Sequence, residues 1–229
     1  MKNLILTLTL LIPFVFIGQS EYKTYYKNGQ LEYDGFVKDG KMYGNWKGYY
    51  ENGSLQFEGG HKNGNKDGLW KMIFDNGSGL TSVGVFINNL KEGLWKDYFD
   101  YDSRHLASES FYKSGNIDGL SKTFYELSKN KLKATGYYQN GILEGWSKMY
   151  YKNGKLESEG YYKNGKPDGV WKSYYKNNQL KLEGSWKNEY QAGVWKFFDV
   201  VGNIIDTIDY SNGKNIAIKY SVWVKSQEK

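Results

Sequence analysis

The 229-residue sequence contains no cysteine, only two prolines and only two histidines. Without cysteine there is no disulfide, no thiolate metal ligand and no thiol nucleophile, so the fold must be held by pairing and packing alone. His61 and His105 stand apart, with no neighbour in sequence that suggests a metal pair or a catalytic triad. Serine nucleophile elbows and phosphate-cradling glycine loops are missing, and the 28 glycines act as punctuation. No helical period of useful length runs beyond Ser20. These absences argue against an enzyme, a cofactor and a metal centre.

Charge of one sign is also in short supply. Lys and Arg number 31 against 25 Asp and Glu, a net charge of +6. The lysines are spread evenly, whereas a nucleic-acid site would cluster them, so no nucleic-acid partner is expected. A single long hydrophobic run, Leu4 to Ile17, follows Lys2 and ends in Gly18-Gln19-Ser20. It is short for a membrane span of about 20 residues and is interrupted by Pro13, so residues 1–20 read as a secretory signal peptide. Export to the periplasm, the outer surface or the medium is the expectation.

What the sequence has in quantity is aromatic residues, 18% of the chain with 22 tyrosines, a sheet composition. They recur in a unit opened by Tyr22, Trp46, Trp70, Trp95, Ser121, Ser147, Trp171 and Trp195, at spacings of 24, 24, 25, 26, 26, 24 and 24 residues. Each unit carries two turn signals, for example Asn153-Gly154 and then Asn164-Gly165 running on to Asp168-Gly169. Asn-Gly between aromatic and β-branched residues marks a hairpin, because a type I′ turn needs positive φ at both central residues. Seven tandem hairpin repeats are therefore expected over residues 21–203, with residues 204–229 forming a C-terminal capping hairpin and tail.

Taking Asn153-Gly154 as a two-residue loop puts Lys152 opposite Lys155, Tyr151 opposite Leu156, Tyr150 opposite Glu157, Lys148 opposite Glu159 and Ser147 opposite Gly160. The same rule sets Trp46 opposite Gly59, Lys47 opposite Glu58, Trp171 opposite Gly184 and Lys172 opposite Glu183. Longer loops at 76–79, 100–105 and 126–131 leave Lys96 opposite Glu109 and Trp70 opposite Gly84.

The pattern Tyr-Tyr-x-Asn-Gly-x-Leu-x-x-Glu-Gly-x-Tyr, seen at Tyr150 to Tyr162 and less perfectly at Tyr49 to His61, resembles the MORN-repeat variant family. That resemblance implies short tandem β-hairpins. Bacterial members often carry an antitoxin-component label, and eukaryotic relatives are linked to membrane occupation and protein assembly. The fold expected is all-β: an elongated single-layer antiparallel sheet built from tandem MORN-like hairpins.

Strand alternation divides the side chains between two faces. One carries Trp46, Trp70, Trp95, Trp171 and Trp195, followed by Tyr50, Tyr125, Tyr151 and Tyr175, and is both the expected core and the candidate aromatic groove. The other carries one lysine per repeat. Glu58, Glu109, Glu159 and Glu183 oppose four of these lysines and leave Lys71 and Lys122 facing Val83 and Thr135. A further series, Asp67, Glu92, Asp118, Glu144 and Asp168, is expected in the second loops, too sparse for calcium. The function expected is a non-enzymatic protein-interaction module or scaffold in the cell envelope with an unidentified protein partner. Alternatives are membrane-lipid or surface-glycan binding in the aromatic groove, and an antitoxin role. Oligomeric state is left open.

Overall fold

The computed structural model describes residues 18–75, 79–99, 105–126, 128 and 130–211. Most of the signal segment and the turn and second strand expected for the C-terminal cap, 212–229, lie outside these residues. Within them the chain is all β. The first four hairpins are β1 (Ser20–Tyr25) with β2 (Leu31–Lys38), β3 (Lys41–Tyr49) with β4 (Leu55–Lys62), β5 (Asn65–Ile73) with β6 (Leu80–Ile87), and β7 (Leu90–Tyr98) with β8 (Leu106–Lys113). The next four are β9 (Asn116–Phe124) with β10 (Leu132–Gln139), β11 (Ile142–Tyr150) with β12 (Leu156–Lys163), β13 (Lys166–Tyr174) with β14 (Leu180–Lys187), and β15 (Tyr190–Phe198) with β16 (Ile204–Asp209).

All sixteen strands form one antiparallel sheet in sequence order, the simplest outcome when every connection is a tight turn. The expected pairs Trp46 with Gly59, Lys148 with Glu159, Lys172 with Glu183, Lys96 with Glu109 and Trp70 with Gly84 are all observed. Ile204–Asp209 pairs with β15, Trp195 facing Ile208, and so adds an eighth hairpin to the same ladder.

The two turns of a repeat differ. The second is type I′: Asn63 and Gly64 have φ of 53° and 86°, Asn164 and Gly165 of 52° and 74°, and Lys163 faces Lys166. The first is not a two-residue loop. Gly154 N–H donates to Tyr151 O and Tyr151 N–H to Lys155 O, both at 2.8 Å, and only Gly154 has positive φ, 83°. This is a three-residue hairpin closed by a glycine bulge. It places Tyr150, not Tyr151, opposite Leu156 and leaves Glu157 unpaired, with the ladder resuming at Met149 and Ser158. The extra loop residue and the bulge cancel, so the register further along is the expected one.

The core is a row of indoles on one face. Trp46, Trp70, Trp95, Trp171 and Trp195 are at most 4% exposed. Each lies over the glycine eleven residues earlier. A Cβ added at Gly59 would sit 2.3 Å from Trp70 Cδ2, and one at Gly184 would sit 2.1 Å from Trp195 Cδ2. The indole N–H of Trp70 donates to Gly60 O at 2.9 Å, and those of Trp46, Trp95 and Trp195 donate to Phe36, Val85 and Ser185 O at 3.0 Å. Burying about 150–250 Å² per ring at about 25 cal/mol/Å² gives roughly 4–6 kcal/mol each. Where the opener is Ser121, Ser110 occupies the glycine position and the hydroxyls bond at 2.8 Å. The buried core accordingly forms two clusters, Trp70 to Trp95 and Tyr162 to Trp195.

Neighbouring repeats are also stitched along both margins. At the first turns, Tyr26, Tyr50, Tyr125, Tyr151 and Tyr175 donate their hydroxyls to Tyr49, Ile73, Tyr150, Tyr174 and Phe198 O at 2.6–2.8 Å. Asn28, Asn52 and Asn177 donate Nδ2 to Glu51, Asp75 and Val200 O. At the second turns, backbone N–H groups of Gly64, Gly115, Gly141 and Gly165 reach back to Met42, Lys91, Ile117 and Leu143 O.

Candidate functional site

The structure places the nine candidate aromatic residues on the core face and fills most of that groove with them. The five tryptophans are buried under glycine-lined strands as above, so their faces are not open walls. Tyr50, Tyr125, Tyr151 and Tyr175 are half-buried, and each spends its hydroxyl on a carbonyl of the next repeat. Burial raises the Tyr125 and Tyr151 phenols above their ordinary value, with Glu157 adding to it. Two local clefts stay open among the described residues: one of about 570 Å³ lined by Tyr33, Met42, Gln56, Phe57, His61, Lys66 and Met72, together with Tyr50 and Trp70, and one of about 470 Å³ beside Tyr125, Lys133 and Lys152.

The acidic series is not in loops. Asp67, Glu92, Asp118, Glu144 and Asp168 lie inside β5, β7, β9, β11 and β13, each before a glycine of positive φ that bulges the strand. The carboxylates of Glu92, Asp118 and Glu144 accept the N–H of Ser114, Asn140 and Asn164, the first residue of the following type I′ turn, at 2.7–3.1 Å. They cap turns. Among the described residues no three His, Asp or Glu side chains come together as a metal site. The Asn52-Gly53-Ser54 sequon is likewise committed to the fold: Asn52 Oδ1 accepts from Ser54 N and its Nδ2 bonds Asp75 O.

On the other face the lysines form a continuous row with the acids. Each acid lies between two lysines, so the expectation that Lys71 and Lys122 lack partners fails: Lys71 bonds Glu58 at 2.8 Å and Lys122 reaches Glu109 at 3.6 Å. Glu109 also holds Lys96, at 3.2 Å, while Lys148 and Lys196 pair with Glu159 and Glu183. Bonding to Lys71 holds the Glu58 carboxyl below its usual range. The row contains Lys23, Lys47, Lys71, Lys96, Lys122, Lys148, Lys172 and Lys196 against Asp34, Glu58, Glu109, Glu159 and Glu183. Cations outnumber carboxylates, with gaps at Val83 and Thr135.

Beside this row runs a feature that the sequence reading did not single out. Before four of the openers, the preceding residue and its cross-strand partner form apolar pairs: Leu69 with Val85, Leu94 with Phe111, Leu120 with Tyr137, and Trp146 with Tyr161, all exposed except the half-buried Leu120. Trp146 is 46% exposed, Phe111 46% and Tyr137 55%, and the stripe continues through Val170 and Val194. Trp146 and Tyr161 meet edge-to-face with centroids 5.9 Å apart. Exposed apolar residues that line up across neighbouring strands, unlike singly scattered ones, mark an interaction surface. The signal was available in the sequence at the position preceding each opener.

The family model for the MORN repeat variant matches four segments of the chain, 19–39, 42–63, 143–164 and 167–188. The three lengthened loops all fall in the unmatched stretch between the second and third segments. No curated protein matches the chain.

Proposed function

On the premise that the chain is an array of MORN repeat variants, a repeat type associated with protein or membrane binding, we propose that it is an exported, non-enzymatic interaction module of the cell envelope. The observation that carries this reading is the exposed stripe from Leu69 to Val170 on the face opposite the indoles. It lies beside a row in which lysines outnumber carboxylates. The partner that fits is a protein presenting an apolar ridge bordered by carboxylates, since a cationic border steers and aligns an anionic one. The indoles themselves are occupied in packing, which weighs against a glycan stacking on them.

The test is a pull-down of residues 21–229 from detergent-solubilised envelope, comparing wild type with Leu94→Glu and Trp146→Glu. A protein recovered at near-equal amount with wild type and lost with both variants, at unchanged thermal stability, supports the reading. Retention of the same partner by both variants refutes the stripe as its site. Turnover that depends on a named side chain would refute the non-enzymatic reading.

A further inference from the structure

The array acts as its own control at one position. Two residues beyond the glycine or serine eleven residues before each opener from Trp46 to Trp195, successive repeats carry Val37, His61, Phe86, Tyr112, Tyr138, Tyr162 and Trp186. Phe86 packs edge-on against Trp95, Tyr162 against Trp171 and Trp186 against Trp195. His61 takes the same place between Trp46 and Trp70, with centroids 5.8 and 5.1 Å away. It is 8% exposed and its Nδ1 has no hydrogen-bond partner. A buried polar atom without a partner costs stability, and a phenyl or phenol satisfies the same packing elsewhere in the chain. Packing alone does not account for an imidazole there.

Directly across the β4–β5 pair stands Lys66. Its ammonium lies 4.3 Å from the Trp70 ring centroid and 5.1 Å from that of Phe86. Lys91 stacks on Trp95 in the same way, so the cation over the ring is a repeated device, whereas its pairing with a buried histidine is peculiar to this repeat. No carboxylate bridges Lys66 among the described residues, and no Asp or Glu lines the 570 Å³ cleft into which both side chains face. Burial holds the ammonium below its usual value, and burial and then Lys66 do the same to His61. The site is an apolar cleft of small-molecule size with a half-buried cation and no carboxylate in its lining.

We propose that this cleft binds a small carboxylate with an apolar body, the carboxylate set against Lys66 and the His61 imidazole and the body lying along Met42, Phe57 and Met72. An anion there supplies the counter-charge that Lys66 lacks. The inference is independent of the scaffold reading, since it concerns the opposite face and a different ligand.

Titration calorimetry with 6-phenylhexanoate, 6-phenylhexanol and 6-phenylhexylamine, read in parallel by tryptophan fluorescence, tests it. The expected result is a single site per chain that takes the carboxylate about tenfold more tightly than the alcohol or the amine. Lys66→Met keeps the apolar stem and should reduce the acid-over-alcohol preference to about twofold or less, with alcohol binding retained. His61→Phe, which installs the ring of the next repeat, should weaken the carboxylate about threefold while raising Tm. Absence of saturable binding, equal binding of acid and alcohol, or a preference that survives Lys66→Met overturns the proposal. Binding to phosphatidylcholine vesicles containing oleate with none to the soluble acid overturns it in favour of a membrane site.

Discussion

Replacing Gly59 with alanine sets a methyl group 2.3 Å from Cδ2 of the Trp70 indole, where no real Cβ contact is found. The backbone on both strands is fixed by the ladder, so the ring must move. Moving it forces overpacking, about 1–3 kcal/mol, and breaks the 2.9 Å bond from Trp70 Nε1 to Gly60 O, about 1 kcal/mol more. The expected loss is about 2–4 kcal/mol. The chain itself indicates the rescue: where Ser121 replaces the indole, Ser110 stands in the glycine position without conflict. In a Trp70→Ser background, Gly59→Ala should therefore cost no more than about 0.5 kcal/mol. Urea unfolding of the four proteins in a double-mutant cycle, followed by far-UV circular dichroism, measures the coupling. If Gly59→Ala costs the same with and without the indole, the account of these glycines as seats for the tryptophans is wrong.

Other outcomes follow from the same contacts. Tyr151→Phe removes the hydroxyl bond to Tyr174 O and should lower stability by about 0.5–1.5 kcal/mol in urea unfolding. His61 is held below its ordinary 6.5 in the folded chain, so the unfolded chain takes up a proton that the folded one refuses as pH falls from about 7. Stability is lost in that direction, and a pH series of Tm should show this component vanish in His61→Phe. Tyr174 is pushed up to about 12 by burial and by its bond to Glu159. Its contribution is fully present below pH 10 and lost as pH rises through 12, which absorbance titration and the Tyr174→Phe variant will report. Glu144→Ala uncaps Asn164 N–H and should cost about 1 kcal/mol.

The long-range register was legible because the 24-residue period and the Lys-Glu pairs fix it independently of turn detail. The first turn was misread for a physical reason. Asn-Gly is compatible both with a two-residue loop and with a three-residue loop closed by a bulge, and the two give the same pairing beyond Ser158. The tilt of each indole was not legible either, since Gly59 has Trp46 on one side and Trp70 on the other and only the three-dimensional packing decides which ring covers it. For the acidic residues, acid-Gly was read as a loop, whereas the positive φ at Gly68 or Gly169 is accommodated by a bulge within an unbroken strand. The apolar stripe went unnoticed because its residue type changes from repeat to repeat: Leu69, Trp146 and Val170 share a position and an exposure but no letter.

The stitches at the two margins run in opposite directions. Tyrosine and asparagine side chains give hydrogen bonds forward to the next repeat, while the glycine N–H groups of the type I′ turns give them backward to the previous one. Phe74 and Phe99 hold the tyrosine position without a hydroxyl. Where the stitching residues recur at a 24-residue spacing, as at Tyr26 and Tyr50 or Tyr151 and Tyr175, the units present matching leading and trailing surfaces, and a block cut there from one point of the cycle to the same point of the next ends on surfaces that fit its flanks. Tandem duplication of such a block is a viable genetic event wherever it starts, and so is its loss. The chain can change length in whole steps of about 10 Å, two strand widths, with the pattern of stitches kept, which makes its reach a heritable variable separate from its fold.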